Sequence, residues 1–152
     1  MEVNPTAGVL EDLVETLEDG RKGFQKAAEL LSESGHNDLA DQMRQYASQR
    51  AQFSAELRDL ARSQGFEIEE EGSAGAALHR VWMTLADMAT GDDAHAVLAA
   101  AEQGEDHAVE EFEDALEDED LTPEVRSVVA RQAQEVKAAH DKVRALRDSR
   151  AA

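Results

Sequence analysis

The sequence predicts an all-α fold: one four-helix bundle with a long crossover between helices two and three. Three observations carry that prediction. Apolar residues recur at alternating spacings of three and four in four separate stretches, the seam of a packed helix. Only two prolines and nine glycines interrupt the 152 residues, which leaves room for long helices. Hydrophobic residues make up 41% of the chain, enough for a core and against a disordered class. The length suits a single domain spanning 1–152.

Helix one is expected over about 5–34. It opens at Asn4-Pro5, a cap residue followed by proline at the first helical position. Its seam is Leu10, Leu13, Leu17, Gly20, Phe24, Ala27 and Leu31, and Gly35 stops it. Helix two, about 37–64, takes Asn37 as its cap and Leu39, Met43, Tyr46, Arg50, Phe53, Leu57 and Leu60 as its seam. Gly65 ends it. The short Gly35 turn makes these two helices antiparallel neighbours.

Residues 66–92 break the pattern and form the crossover. Glu67-Ile68-Glu69-Glu70-Glu71-Gly72 reads as a loop. Ser73 then caps a short helix over about 74–90 bearing Leu78, Val81, Trp82, Leu85 and Met88, with Gly91 as its stop. A connection of this length can cross a bundle whose helices, at about 1.5 Å per residue, are roughly 38 Å long. Helix three, about 93–118, has the seam Ala94, Leu98, Ala101, Glu105, Ala108, Phe112, Ala115. Thr122-Pro123-Glu124 opens helix four, about 123–149: a cap, a proline and an acid in the first turn. Its seam is Val125, Val129, Gln132, Val136, Ala139, Val143, Leu146.

Charge narrows the function. Lys and Arg number 15 against 34 Asp and Glu, a formal net charge of −19. Such a surface repels nucleic-acid phosphates and anionic membranes, so neither is an expected partner. No apolar run approaches the roughly 20 residues of a membrane helix. The start Met1-Glu2-Val3-Asn4-Pro5 shows no secretory pattern, so a cytoplasmic location is expected. Lysines are few, only Lys22, Lys26, Lys137 and Lys142; many acids with few lysines give a halophile-like surface, tolerable under strong ionic screening. With no cysteine, disulfides and thiolate chemistry are excluded.

Three seams carry a polar residue where an apolar one belongs: Arg50, Glu105 and Gln132; the first seam carries Gly20 instead. All four fall near mid-bundle when residues are counted from the hairpin turns. A buried guanidinium needs a carboxylate, and Glu105 is the seam carboxylate available. Gln132 is expected to satisfy a remaining donor or acceptor, and Gly20 to leave room for the Arg50 head.

Bundle cores at this height are also where metal centres are built, from an inward carboxylate on two helices and Glu-x-x-His on the other two. Helices two and four contain no Glu-x-x-His. Glu15, Glu18 and Asp19 fall outside the first seam. Arg50 sets a fixed positive charge where cations would sit. The remaining candidate ligands are Glu102, Glu105 and Asp106 on helix three, with Glu135 and His140 on helix four. His36, His79, His95 and His107 lie near helix ends or off the seams. The acidic run 110–120 does not fit a calcium loop, and there is no phosphate loop or nucleophile elbow.

Asp19-Gly20-Arg21-Lys22-Gly23-Phe24, Gln49-Arg50, Gly72-Ser73 with Leu78-His79-Arg80-Val81-Trp82, Gly104-Glu105-Asp106, and His140-Asp141 with Leu146-Arg147 carry a resemblance over nearly the whole chain. They resemble the bacterial ferritin-like four-helix-bundle proteins classed as a domain of unknown function. That resemblance implies a ferritin-like fold, distantly similar to rubrerythrins and bacterioferritins, and a link to stress responses. It implies no established activity, and the di-iron pattern of the true ferritins is absent. The expected function is therefore a non-catalytic cytoplasmic bundle without cofactor, whose assembly allows a homodimer and whose protein partner is unknown. The alternative is a degenerate ferritin-like protein holding iron, manganese or zinc between helices three and four through Glu102, Glu105, Glu135 and His140.

Overall fold

The computed structural model describes residues 5–68 and 94–149. Expectations for Asn4, Glu69 to Gly72, the Ser73 cap, the short helix with Trp82, His79 and the Gly91 stop fall outside those residues. Among the described residues there are four helices and no strand: α1 (Pro5–Glu33), α2 (Asn37–Ser63), α3 (Ala94–Leu116) and α4 (Pro123–Asp148). No helix among them is long and apolar enough to cross a membrane.

The seams become the core. Leu10, Leu17, Phe24, Leu31, Met43, Leu57, Leu98, Phe112, Val125, Val129, Val136 and Val143 are fully buried. Tyr46 and Leu146 remain half-buried at the edge. The buried stripe is wider than the seam. Val14, Ala28, Ala40, Ala47, Ala61 and Val97 are also inside, because a helix in a bundle touches two neighbours and needs flanking apolar positions. Glu15, off the seam by heptad count, is 7% exposed for the same reason.

Both early helices end in the same way. Gly35 takes φ of +84° and Gly65 φ of +93°, the left-handed conformation that glycine adopts without a steric cost. Around Gly35, the His36 amide donates to the Leu31 carbonyl at 2.8 Å and the Gly35 amide to Ser32 at 3.1 Å. Around Gly65, Phe66 donates to Ala61 and Gly65 to Arg62, each at 3.1 Å. These pairs satisfy carbonyls that a helix end leaves open. The first turn is so tight that the cap position falls on His36, which makes no side-chain cap hydrogen bond, and Asn37 is already helical. The expected Asn37 cap is corrected accordingly.

Thr122 caps α4, its hydroxyl accepting from the Val125 amide at 3.3 Å. The acidic end of α3 is closed by Arg126, which donates to the carbonyls of Leu116 at 2.7 Å and Asp118 at 2.5 Å. A cation thus sits at a helix C-terminus otherwise crowded with carboxylates.

The apolar interior falls into two clusters. One joins Phe24 to Leu31 of α1, Leu39 to Ala47 of α2, Ala94 to Ala101 of α3 and Val143 of α4. The other joins Leu10 to Leu17, Phe53 to Ala61, Ala108 to Ala115 and Val125 to Val136. The first half of α2 and the first half of α3 share one end of the bundle, so these two helices run in the same direction. α1 packs closely on α2 and α3, and α3 on α4; the backbones of α2 and α4 stand further apart and meet through side chains. Between the clusters lies a polar waist.

Candidate functional site

The waist is built from the middles of the helices. Arg50 and Glu105 are both fully buried. Arg50 Nη1 donates to Glu105 Oε1 and Nη2 to Oε2, each at 2.6 Å. This fork-on-fork pairing suits a planar guanidinium and a carboxylate, and burial strengthens each hydrogen bond. Arg50 Nε donates to Gln49 Oε1 at 3.3 Å. The guanidinium carbon lies 5.2 Å from the centre of the Phe24 ring, which offers its negative face to the charge. Tyr46 meets Phe24 at 5.3 Å between ring centres.

The charge of the pair is therefore answered within the protein. A metal centre at this height would need that space and would meet a cation that cannot deprotonate. The residues present at the waist do not fit a bound cation.

Gly20 does face Arg50, but the space is larger than the guanidinium requires. A Cβ at position 20 would sit 3.6 Å from Arg50 Nη1 and 3.7 Å from its Cγ, ordinary van der Waals contact. Gly20→Ala is accordingly expected to raise stability by about 0.5–1 kcal/mol, the usual gain from replacing a mid-helix glycine. Denaturant unfolding of the two proteins measures it; a loss of stability would show that the waist has no room for a methyl group.

Gln132 is fully buried at the waist, but its hydrogen bonds go elsewhere than to the Arg50–Glu105 pair. Its Nε2 donates to Glu56 Oε1 at 2.7 Å and to the Phe53 carbonyl at 3.3 Å. Its Oε1 is buried and has no hydrogen-bond partner among the described residues. The expectation that it completes the guanidinium's bonds is corrected, because Gln132 meets α2 nearer Phe53 and Glu56 than Arg50. Burial pushes the Glu56 carboxyl up, but its bonds to Arg131 and Gln132 outweigh this and hold it below the ordinary carboxylate range.

Tyr46 reports on the waist. Burial raises its pKa, the Glu105 carboxylate raises it further, and Arg50 and the Gln42 bond pull the other way; the net direction is up. The protonated phenol is thus favoured by folding. Its contribution to stability is whole below pH ~10 and is lost as pH climbs through the raised value. Tyr46 is the only tyrosine, so phenolate absorbance follows it directly. Its midpoint is expected above that of free tyrosine and should fall in Glu105→Gln; an unchanged midpoint in that variant would remove Glu105 as a cause of the raised value.

A second cluster stands between α3 and α4. One carboxylate oxygen each from Glu102 and Asp106 and a ring nitrogen of His140 lie within 4.8 Å of one another. Glu102 and His140 are buried, at 7% and 8% exposure, and Asp106 is exposed. His140 Nε2 lies 2.5 Å from Asp106 Oδ1 and 3.6 Å from Glu102 Oε1, while Nδ1 lies 3.0 Å from Asp141 Oδ1. Burial lowers the imidazole pKa, but the bonds to Asp141 and Asp106 and the nearby carboxylate charges prevail and hold it above the ordinary value. Arg147 pairs with Glu102 Oε2, and Arg144 Nε lies 3.5 Å from Oε1.

Of the ligands expected from the sequence, Glu102 and His140 meet here. Glu105 is turned to Arg50 instead. Glu135 is exposed and lines a surface groove with Gln45, Gln49, Gln52 and Arg131. Asp106 takes its place in the cluster, reached because it lies one helical turn beyond Glu102.

Residues 6–118 match the model of one family, described as a domain of unknown function (DUF2383). No curated protein matches the chain.

Proposed function

The chain belongs to the DUF2383 family, and from that starting point we propose that it is a ferritin-like bundle without a core metal, acting through its acidic surface as a non-catalytic cytoplasmic protein of stress physiology. Two features support the ferritin-like part of this reading. α2 and α3 run in the same direction, so the chain leaves α2 at one end of the bundle and enters α3 at the other, as a fold with one long crossover requires. The polar residues also lie at mid-height, where that fold places its metals. The stress link rests on the sequence resemblance.

The single observation that carries the non-catalytic reading is the Arg50–Glu105 pair, bonded at 2.6 Å through both nitrogens and fully buried. It fills the waist with charge that is already balanced. The experiment is aerobic oxidation of Fe²⁺, followed by ferric absorbance with and without stoichiometric protein. Equal rates are expected. Acceleration by the protein would overturn the reading.

A further inference from the structure

The cluster between α3 and α4 has a charge problem that points to an occupant. His140 Nδ1 faces Asp141, which orients the ring and holds the proton on that nitrogen when a cation takes Nε2. The other nitrogen, Nε2, then turns a lone pair towards two carboxylates, Asp106 at 2.5 Å and Glu102 at 3.6 Å. Three electron-rich groups converging on one point require a positive charge between them. A proton on Nε2 meets that requirement, and so does a metal ion.

We propose that Glu102, Asp106 and His140 form a binding site for one divalent first-row cation of the zinc class, with Asp141 as the residue that positions the imidazole. One imidazole and two carboxylates are a mixed nitrogen and oxygen set, suited to zinc and its neighbours and poorly suited to Ca²⁺, which prefers oxygen alone. Metal bonds of about 2.1 Å span donor atoms up to ~4.2 Å apart, so small side-chain rotations bring all three donors into reach. Glu102 is set for a single bond. Arg147 holds its Oε2, leaving Oε1 turned to the site. The Arg144 nitrogen near Oε1 belongs to a side chain that is 57% exposed and can swing into solvent. Two of the three donors are buried on the helices, which makes the site stiff, and the exposed Asp106 side leaves an entry path and room for water as a further ligand.

This site is separate from the waist. Asp106 adjoins Glu105 on α3, but Glu105 is bonded to Arg50 whereas Asp106 is bonded to His140 on α4. Failure of the one leaves the other standing.

The test is calorimetric titration of the full chain with Zn²⁺ after treatment with chelator and dialysis, repeated with Mg²⁺. One strong site for Zn²⁺ and none for Mg²⁺ is expected. Asp106→Asn, a change at an exposed side chain, and His140→Gln should each weaken it at least tenfold, and Asp141→Asn about ten- to a hundredfold. In the unaltered protein the ring resonances of His140 should shift on adding one equivalent of Zn²⁺. No saturable Zn²⁺ site in the unaltered protein would overturn the proposal and leave the proton as occupant. Equal uptake by Asp106→Asn, or Mg²⁺ binding of matching strength, would overturn it in favour of a diffuse cation atmosphere around the acidic surface.

Discussion

Arg50→Met is expected to cost about 3–5 kcal/mol of folding stability. Methionine stops two atoms short of the terminal guanidinium nitrogens but keeps an unbranched apolar stem in place of the aliphatic part of arginine, so the loss is not chiefly one of packing. It comes from Glu105, which keeps 0% exposure and loses both hydrogen-bond donors at once. A carboxylate stranded in an apolar interior must either carry an unanswered charge or take up a proton. The companion variant separates the two contributions. Arg50→Met combined with Glu105→Leu removes both charges and should recover most of the loss, because a well-packed apolar pair often equals or exceeds a buried ion pair in stability. Urea unfolding of the three proteins measures this. If the single variant unfolds at the same midpoint as the parent, Glu105 does not depend on Arg50.

Phe24→Ala is the second large effect, expected at about 3–5 kcal/mol. The ring is fully buried and belongs to the cluster that includes Leu31, Met43 and Leu98. Its removal opens a cavity beside the Arg50 guanidinium, 5.2 Å from the ring centre, and removes the aromatic partner of Tyr46. Phe112→Ala makes the control. Phe112 is equally buried but lies in the other cluster, with no guanidinium of the described residues over it. The two losses should be similar in unfolding experiments, while only Phe24→Ala should move the Tyr46 titration. An unshifted Tyr46 in Phe24→Ala would mean that the aromatic pair does not shape the waist.

The seam positions were legible in the sequence because burial in a bundle follows period, and period survives in a single chain. Arg50 stood out on the same ground: it occupies a place where the pattern demands an apolar residue. Its partner could be named because Glu105 breaks a second seam at the same height. Gln132 was legible as buried but not as bonded to Glu56, since counting residues fixes a level along a helix to no better than a turn and says little about which neighbour a side chain reaches. Glu15 was missed because a strict seam understates the stripe that two neighbours cover. Asp106 is a candidate ligand by sequence, but nothing in its spacing distinguishes it from Glu105, one residue away and turned about 100° around the helix. That choice depends on the rotation of α3, which packing against α1 and α4 decides.

The division of the apolar interior has a consequence for how the molecule comes apart. Each of the two clusters draws on all four helices, so neither can be assembled from a continuous piece of chain. The α1–α2 hairpin alone would own a fraction of both and the whole of neither. Severing the backbone between α2 and α3 should therefore yield two fragments that stay associated and denature together, since the covalent order of the helices and the grouping of their contacts are laid out crosswise.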